Sequence, residues 1–225
     1  MGHAPGVNEV AALLGDSTRA VILDALMDGS ARPAGELARR AGVAPSTASE
    51  HLTRLVDGRL LVMEPRGRER RYRLASAEVA DVLEALSCLG SEAPVTSLRA
   101  AGRTEALRAA RTCYDHLAGR FGVAVTEALV ARDVLRSRDG SFELTGDGEL
   151  FLVRLGVDVA GARARKRVFA RQCLDWSERR AHLAGALGAA LAAAALDQGW
   201  VCRRPNDRGL RVTPKSAAEL RGLVG

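Results

Sequence analysis

The feature that most constrains this chain is residues 33–74, where two short amphipathic segments flank a Gly–Pro turn and two β-like runs follow at once. Pro33-Ala-Gly-Glu-Leu-Ala-Arg-Arg-Ala41 puts Leu37, Ala38 and Ala41 on one helical face. Gly42-Val-Ala-Pro45 is a tight turn, in which Gly42 can adopt positive φ as the helix stop. Residues 46–56 form a second helix that opens with small hydroxyl residues and closes at Asp57-Gly58. Ala48, Leu52, Leu55 and Val56 hold it on the core, and Ser46, Thr47, Ser49, Glu50, Thr53 and Arg54 point outward. Two helices joined in this way make a helix-turn-helix, with a polar second helix suited to the major groove of DNA. Residues 60–63 then read as a strand, 65–69 as a turn and 70–74 as a returning strand. This hairpin is a wing whose arginine-rich tip lies along phosphates or enters the minor groove.

The candidate DNA contacts are therefore Ser46, Thr47, Ser49, Glu50, His51 and Arg54 on the helix, with Arg66, Arg68 and Arg70 on the wing. Glu50 either accepts from cytosine N4 or orients Arg54. His51 is a phosphate contact or a packing residue rather than a metal ligand. Local charge agrees with this placement. Residues 1–90 hold 11 Lys/Arg and 12 Asp/Glu, yet residues 54–73 hold seven arginines and three acids. Phosphate neutralisation by such a patch supplies non-specific DNA affinity. Upstream, Val7, Val10, Ala11 and Leu14 have helical spacing, and Asp16-Ser-Thr caps a further helix carrying Val21, Ile22, Ala25 and Leu26.

Taken together, Leu13-Leu-Gly-Asp-Ser-Thr-Arg19, Glu36-Leu-Ala38, Ser46-Thr-Ala-Ser-Glu-His-Leu52, Leu55 with Gly58, and Gly67-Arg68 with Tyr72 resemble the ArsR/SmtB family of dimeric winged-helix repressors over roughly residues 7–90. The resemblance implies a homodimer held by the first helix and by residues 77–89, binding a double-stranded operator with two related half-sites. It also implies a repressor whose DNA affinity an effector changes. Two departures restrict what carries over. The family's thiolate sensors have cysteines around the Glu36-Leu-Ala38 helix, and none is here. Its dimer-helix sensors use histidine and acidic ligands, whereas residues 77–89 supply Glu78, Asp81 and Glu84 without histidine.

Residues 91–97 are the expected linker, and residues 98–225, with 22 Lys/Arg and 15 Asp/Glu counted from residue 91, an effector or assembly domain. Within it Cys113-Tyr-Asp115-His116-Leu-Ala-Gly119, then Phe121-Gly122, matches Cys173-Leu-Asp175, then His182-Leu-Ala-Gly185 and Leu187-Gly188, with six extra residues in the second copy. The expected fold class is mainly α with small β-hairpins. It comprises an N-terminal winged helix-turn-helix and a C-terminal helical domain built from a duplicated helix–helix–hairpin unit, at about 108–155 and 168–222. Cys113 and His116, three apart, would share a helix face. With their equivalents Cys173 and His182 they form a set suited to tetrahedral zinc or a similar soft metal. Asp115 and Asp175 would orient the histidines. The alternatives are four structural residues, a thiol redox site, or a small-molecule effector pocket lined by Tyr114, Asp115, Asp175 and Trp176.

Composition limits other classes. No apolar run approaches the ~20 residues that span a bilayer, and the Ala-rich residues 183–196 read as a core helix. The N-terminus has no basic or apolar signal region, so a cytoplasmic protein is expected, with its four dispersed cysteines (Cys88, Cys113, Cys173, Cys202) outside disulfides. Catalysis is not expected, for no phosphate-binding Gly-rich loop, nucleophile elbow or H-E-x-x-H motif is present. A purely architectural DNA-binding protein would not require so large a second half.

Overall fold

The computed structural model describes residues 6–67, 69–90, 97–205 and 207–216. They fall into two compact units, Met1–Leu83 and Glu84–Gly225.

The first unit runs α1 (Val7–Leu14), α2 (Ser17–Asp24), β1 (Arg32–Pro33), α3 (Ala34–Ala41), α4 (Pro45–Asp57), β2 (Leu61–Arg66) and β3 (Glu69–Leu74). Asp16 caps α2 by accepting from the Arg19 amide. The Arg19 guanidinium reaches back to the carbonyls of Leu13 and Ala12, at 2.6 and 2.7 Å, where α1 leaves them unpaired. Gly42, at φ +69°, ends α3, and Pro45 opens α4 where its missing N–H costs nothing. Ile22, Leu23, Leu26, Leu37, Leu52, Leu55, Leu61 and Leu74 are buried and make the core. β3 lies between β1 and β2. The strands run further than the sequence suggests: Pro65 pairs with Arg70 and Arg66 with Glu69, so the wing turn is shorter than residues 65–69.

α5 (Ala77–Leu89) is one continuous helix, and the division between the units falls inside it rather than at residues 91–97, of which 91–96 lie outside the described residues. The second unit continues with α6 (Leu98–Ala109), β4 (Arg111–Cys113), β5 (His116–Ala118), α7 (Gly119–Ala131), β6 (Leu135–Arg138), β7 (Ser141–Leu144), α8 (Gly146–Arg154), α9 (Val159–Ala164), β8 (Arg171–Leu174), β9 (Ala181–Ala184), α10 (Gly185–Asp197), β10 (Val201–Arg203) and β11 (Leu210–Val212). Hairpin, helix, hairpin therefore occurs twice, and the expected helix–helix–hairpin order is corrected. The segments carrying Cys113 and His116, and Cys173 and His182, are hairpins and not helices. Cys113 and His116 face each other across a two-residue turn, and their three-residue spacing is equally that of one helix turn.

The hairpins pair crosswise. β7 joins β8 through Ser141 and Arg171, giving the sheet order β6-β7-β8-β9. A bridge between Arg111 and Gly209 brings β4 to the β10–β11 hairpin. The flanking bonds correspond: Gln172 N donates to Gly140 O and Phe142 N to Ala170 O, while Thr112 N donates to Arg208 O and Leu210 N to Ala110 O. Thr145 and Thr213 each close their second hairpin onto the residues that follow the preceding helix. α10 is buried along most of its length, in keeping with the Ala-rich core helix expected there. Each central helix starts on a glycine at positive φ, Gly119 at +75° and Gly185 at +83°. A Cβ at either would lie within 2.7 Å of a backbone carbonyl oxygen.

Candidate DNA interface and candidate metal centre

α4 presents Ser46, Ser49, Glu50, Thr53 and Arg54 to solvent, while Ala48, Leu52 and Leu55 anchor it, and Thr47 is half-buried. The outward residues sit on the face a major groove would meet. His51 behaves differently from its neighbours. Its ring is half-buried, and Nδ1 lies 3.8 Å from the Asp16 carboxylate at the start of α2, so it packs α4 onto α2. On the wing Arg66 and Arg70 are exposed, and Arg68 lies outside the described residues. Arg71 is drawn inward, donating to the Ala31 carbonyl and to Glu69, and Arg73 pairs with Glu64. Only part of the arginine run is thus turned outward.

In the second unit, Cys113 and His116 are register partners across β4–β5, and Cys173 and His182 across β8–β9. All four are buried, and their ligand atoms lie within 4.8 Å of one another. The two Nε2 atoms are 3.1 Å apart and the rings stack with centroids 5.0 Å apart. Tetrahedral zinc holds ligands about 2.0–2.3 Å from the ion, hence roughly 3.3–3.8 Å from each other. The observed cluster needs only small shifts to reach that spacing. Nδ1 of each ring is buried without a hydrogen bond, 3.5 Å from the Asp115 carboxylate and 3.7 Å from that of Asp175. Those are the positions from which carboxylates orient metal-bound imidazoles.

The electrostatics favour a thiolate here. A hydrogen bond from Cys113 holds Cys173 down to about 2 against its burial, with both histidines adding to the effect. Cys113 is correspondingly pushed well up, first by that bond to Cys173 and then by burial. Burial would lower His116, but Asp115 and the Cys173 sulfur outweigh it and raise it. Asp115 is raised by burial yet ends lowered, through His116 and Arg167. Asp175 is also lowered, its burial overcome by Arg111, Ser177 and the Gly119 amide.

Tyr114, Asp115, Asp175 and Trp176 stand in the turns of the two hairpins. Asp115 is taken up by Arg167, Asp175 by Arg111, and the Arg111 guanidinium lies 4.7 Å from the centroid of the Trp176 ring. The residue that spacing did not reveal is Arg111 itself, fully buried between Asp175 and Glu84. The one available signal was an arginine two places before each repeated cysteine, Arg111 and Arg171.

A helix-turn-helix with a basic wing, joined to a second unit that encloses a Cys/His cluster, defines a DNA-binding regulator class. The helix-turn-helix domain family matches residues 14–64. The uncharacterized HTH-type transcriptional regulator YdfF of Bacillus subtilis (strain 168) is 45% identical over 209 residues, covering 93% of this chain and 92% of that protein. The HTH-type transcriptional regulator CmtR of Mycobacterium tuberculosis (strain ATCC 25618 / H37Rv) is 36% identical over 92 residues, 39% of this chain and 77% of that protein. Among solved structures, that of the cadmium metal-sensor CMTR from Mycobacterium tuberculosis is 33% identical with a TM-score of 0.31, covering 41% of this chain and 100% of that one. The chain belongs to the HTH-type transcriptional regulators, and its likeness to YdfF extends over both units. Among the described residues no helix is long and apolar enough to cross a membrane.

Proposed function

We propose that the protein represses transcription as a homodimer on a two-half-site operator, and that a soft, zinc-like ion held by Cys113, His116, Cys173 and His182 changes its DNA affinity. The observation that carries the metal reading is the convergence of four buried ligand atoms within 4.8 Å. Buried polar groups without partners are costly, and both Nδ1 atoms are in that position while Nε2 faces Nε2. With His116 and His182 holding an ion through Nε2, each Nδ1–H would be free to donate to its neighbouring carboxylate, Asp115 or Asp175. The chemistry supplied is Lewis acidity that fixes two thiolates and two imidazoles in one arrangement. The protein's own part is to present the donors from two hairpins and exclude water.

The dimer reading rests on α5, which exposes Val82 (50%), Leu86 (45%) and Leu89 (83%) at helical spacing. The crosswise hairpin pairing and matching glycines support an internal duplication as the origin of the second unit. Elemental analysis of untagged, anaerobically purified protein, with thiol titration before and after chelation, tests the site. One zinc per chain protecting two thiols is expected, and zinc should alter binding to a duplex selected by the protein from a random library. No metal and four freely reactive thiols would remove the metal reading.

A further inference from the structure

From Asp175, beside the Cys/His cluster, a buried ionic chain runs on beyond what the site itself requires. Asp175, whose Oδ2 is 3.7 Å from His182 Nδ1, accepts from Arg111 at 2.9 Å and from the Gly119 amide at 2.7 Å. The same Arg111 nitrogen donates to Glu84 Oε1 at 3.2 Å, and Arg208 donates to the other Glu84 oxygen at 3.2 Å. Arg111, Asp175 and Glu84 are all essentially inaccessible to solvent. Glu84 belongs to α5, the helix that begins three residues after the last wing strand and carries the apolar stripe proposed for dimerisation. A packed salt-bridge network with one end on a ligand histidine and the other on a continuous helix can carry coupling, because moving one carboxylate requires the shared guanidinium to move as well.

We propose that Arg111 is the positioning residue that transmits occupancy of the Cys/His site to α5, through Asp175 on one side and Glu84 on the other. The proposal rests on the metal reading above. When Asp175 turns to accept from His182 Nδ1, its hold on Arg111 changes, and the pull of Arg111 on Glu84 changes with it. The guanidinium suits this role because Nη2 serves both carboxylates while Nη1 is held by the Leu107 carbonyl and Ser177, a donor set that a lysine's single ammonium does not reproduce.

The test uses the full-length chain and the double variant E84Q/R208Q, which removes one charge of each sign and so leaves the net charge of the buried cluster unchanged. The variant is expected to bind one zinc per chain with the wild-type thiol protection. Coupling between ligand sites commonly amounts to a change of about 5–150-fold in affinity. The zinc-dependent change in affinity for the selected duplex should fall from such a value to near onefold in the variant. Amide hydrogen exchange at residues 84–89 should respond to zinc in the wild type and not in the variant. Arg111→Lys, which keeps the charge, gives a second measurement of the same loss. A variant that binds zinc and retains the wild-type ratio overturns the relay alone. A wild type whose DNA affinity ignores zinc overturns the metal reading, and the relay with it.

Discussion

At the scale of single residues, two positions show how local chemistry sets stability. Glu36 sits between Arg32 and Arg40, at 2.5 and 3.0 Å, and those cations outweigh its partial burial to lower its pKa below the ordinary 4.5. A lowered carboxylate stabilises the fold above its unfolded-state pKa and loses that contribution as pH falls through the folded-state value. Glu36→Gln should therefore cost about 1 kcal/mol at pH 7, while the gap from wild type closes below pH 4.5 in paired denaturation curves. Gly185 is the second case. At φ +83°, where a Cβ would stand only 2.7 Å from the Val168 carbonyl oxygen, it has no room for a side chain. Gly185→Ala should destabilise the second unit by about 2 kcal/mol or more, read as a fall in its thermal midpoint.

At the scale of elements, the proposed function gives α4 the reading of DNA and α5 the pairing of chains. Arg54 is exposed on α4, so Arg54→Ala should weaken binding to the selected duplex by roughly 5–150-fold, the cost of a lost base contact. An equilibrium titration that finds affinity and selectivity unchanged would remove α4 from the role given it. Leu86→Glu places a charge in the exposed stripe of α5 and should convert dimer to monomer in sedimentation, with the far-ultraviolet spectrum retained. The helix-turn-helix was legible because Gly42, Pro45 and the spacing of Leu37, Leu52 and Leu55 each carry a local signal. The Cys/His set was legible as a repeated motif, but its setting was not. The β4–β5 turn places Tyr114 at φ +58°, where a sequence usually announces the turn with glycine or asparagine, so no hairpin signal was available. The Arg111 chain was invisible for another reason: its partners are 27 and 64 residues away, and no periodicity links them.

At the scale of the whole molecule, ligand binding and stability are one quantity. An ion that binds only the folded second unit should stabilise it by about 4 kcal/mol when present at a thousand times its dissociation constant. Zinc should raise the thermal midpoint of the wild type accordingly, and Cys113→Ser should abolish the rise while retaining cooperative unfolding. The charge distribution adds a second whole-molecule property. Two outward wing arginines, Arg66 and Arg70, with Arg54 on α4 should make DNA affinity fall with salt. Replacing Arg70 with alanine should lower the slope by about one, with sequence preference unchanged.

The crosswise pairing of the four hairpins has a consequence for biosynthesis. Because β4–β5 completes its bonding with β10–β11, and β7 with β8, the amino-terminal half of this unit emerges from the ribosome before the strands it needs have been translated. Such long-range closure is slow compared with local helix formation, and the nascent half carries open strand edges in the meantime. Fragments 84–156 and 157–225 should each fail to unfold cooperatively alone, yet recover a common transition when mixed. The first unit needs no such wait, so on the proposed function a newly made chain would complete its DNA-binding surface before the centre proposed to regulate it.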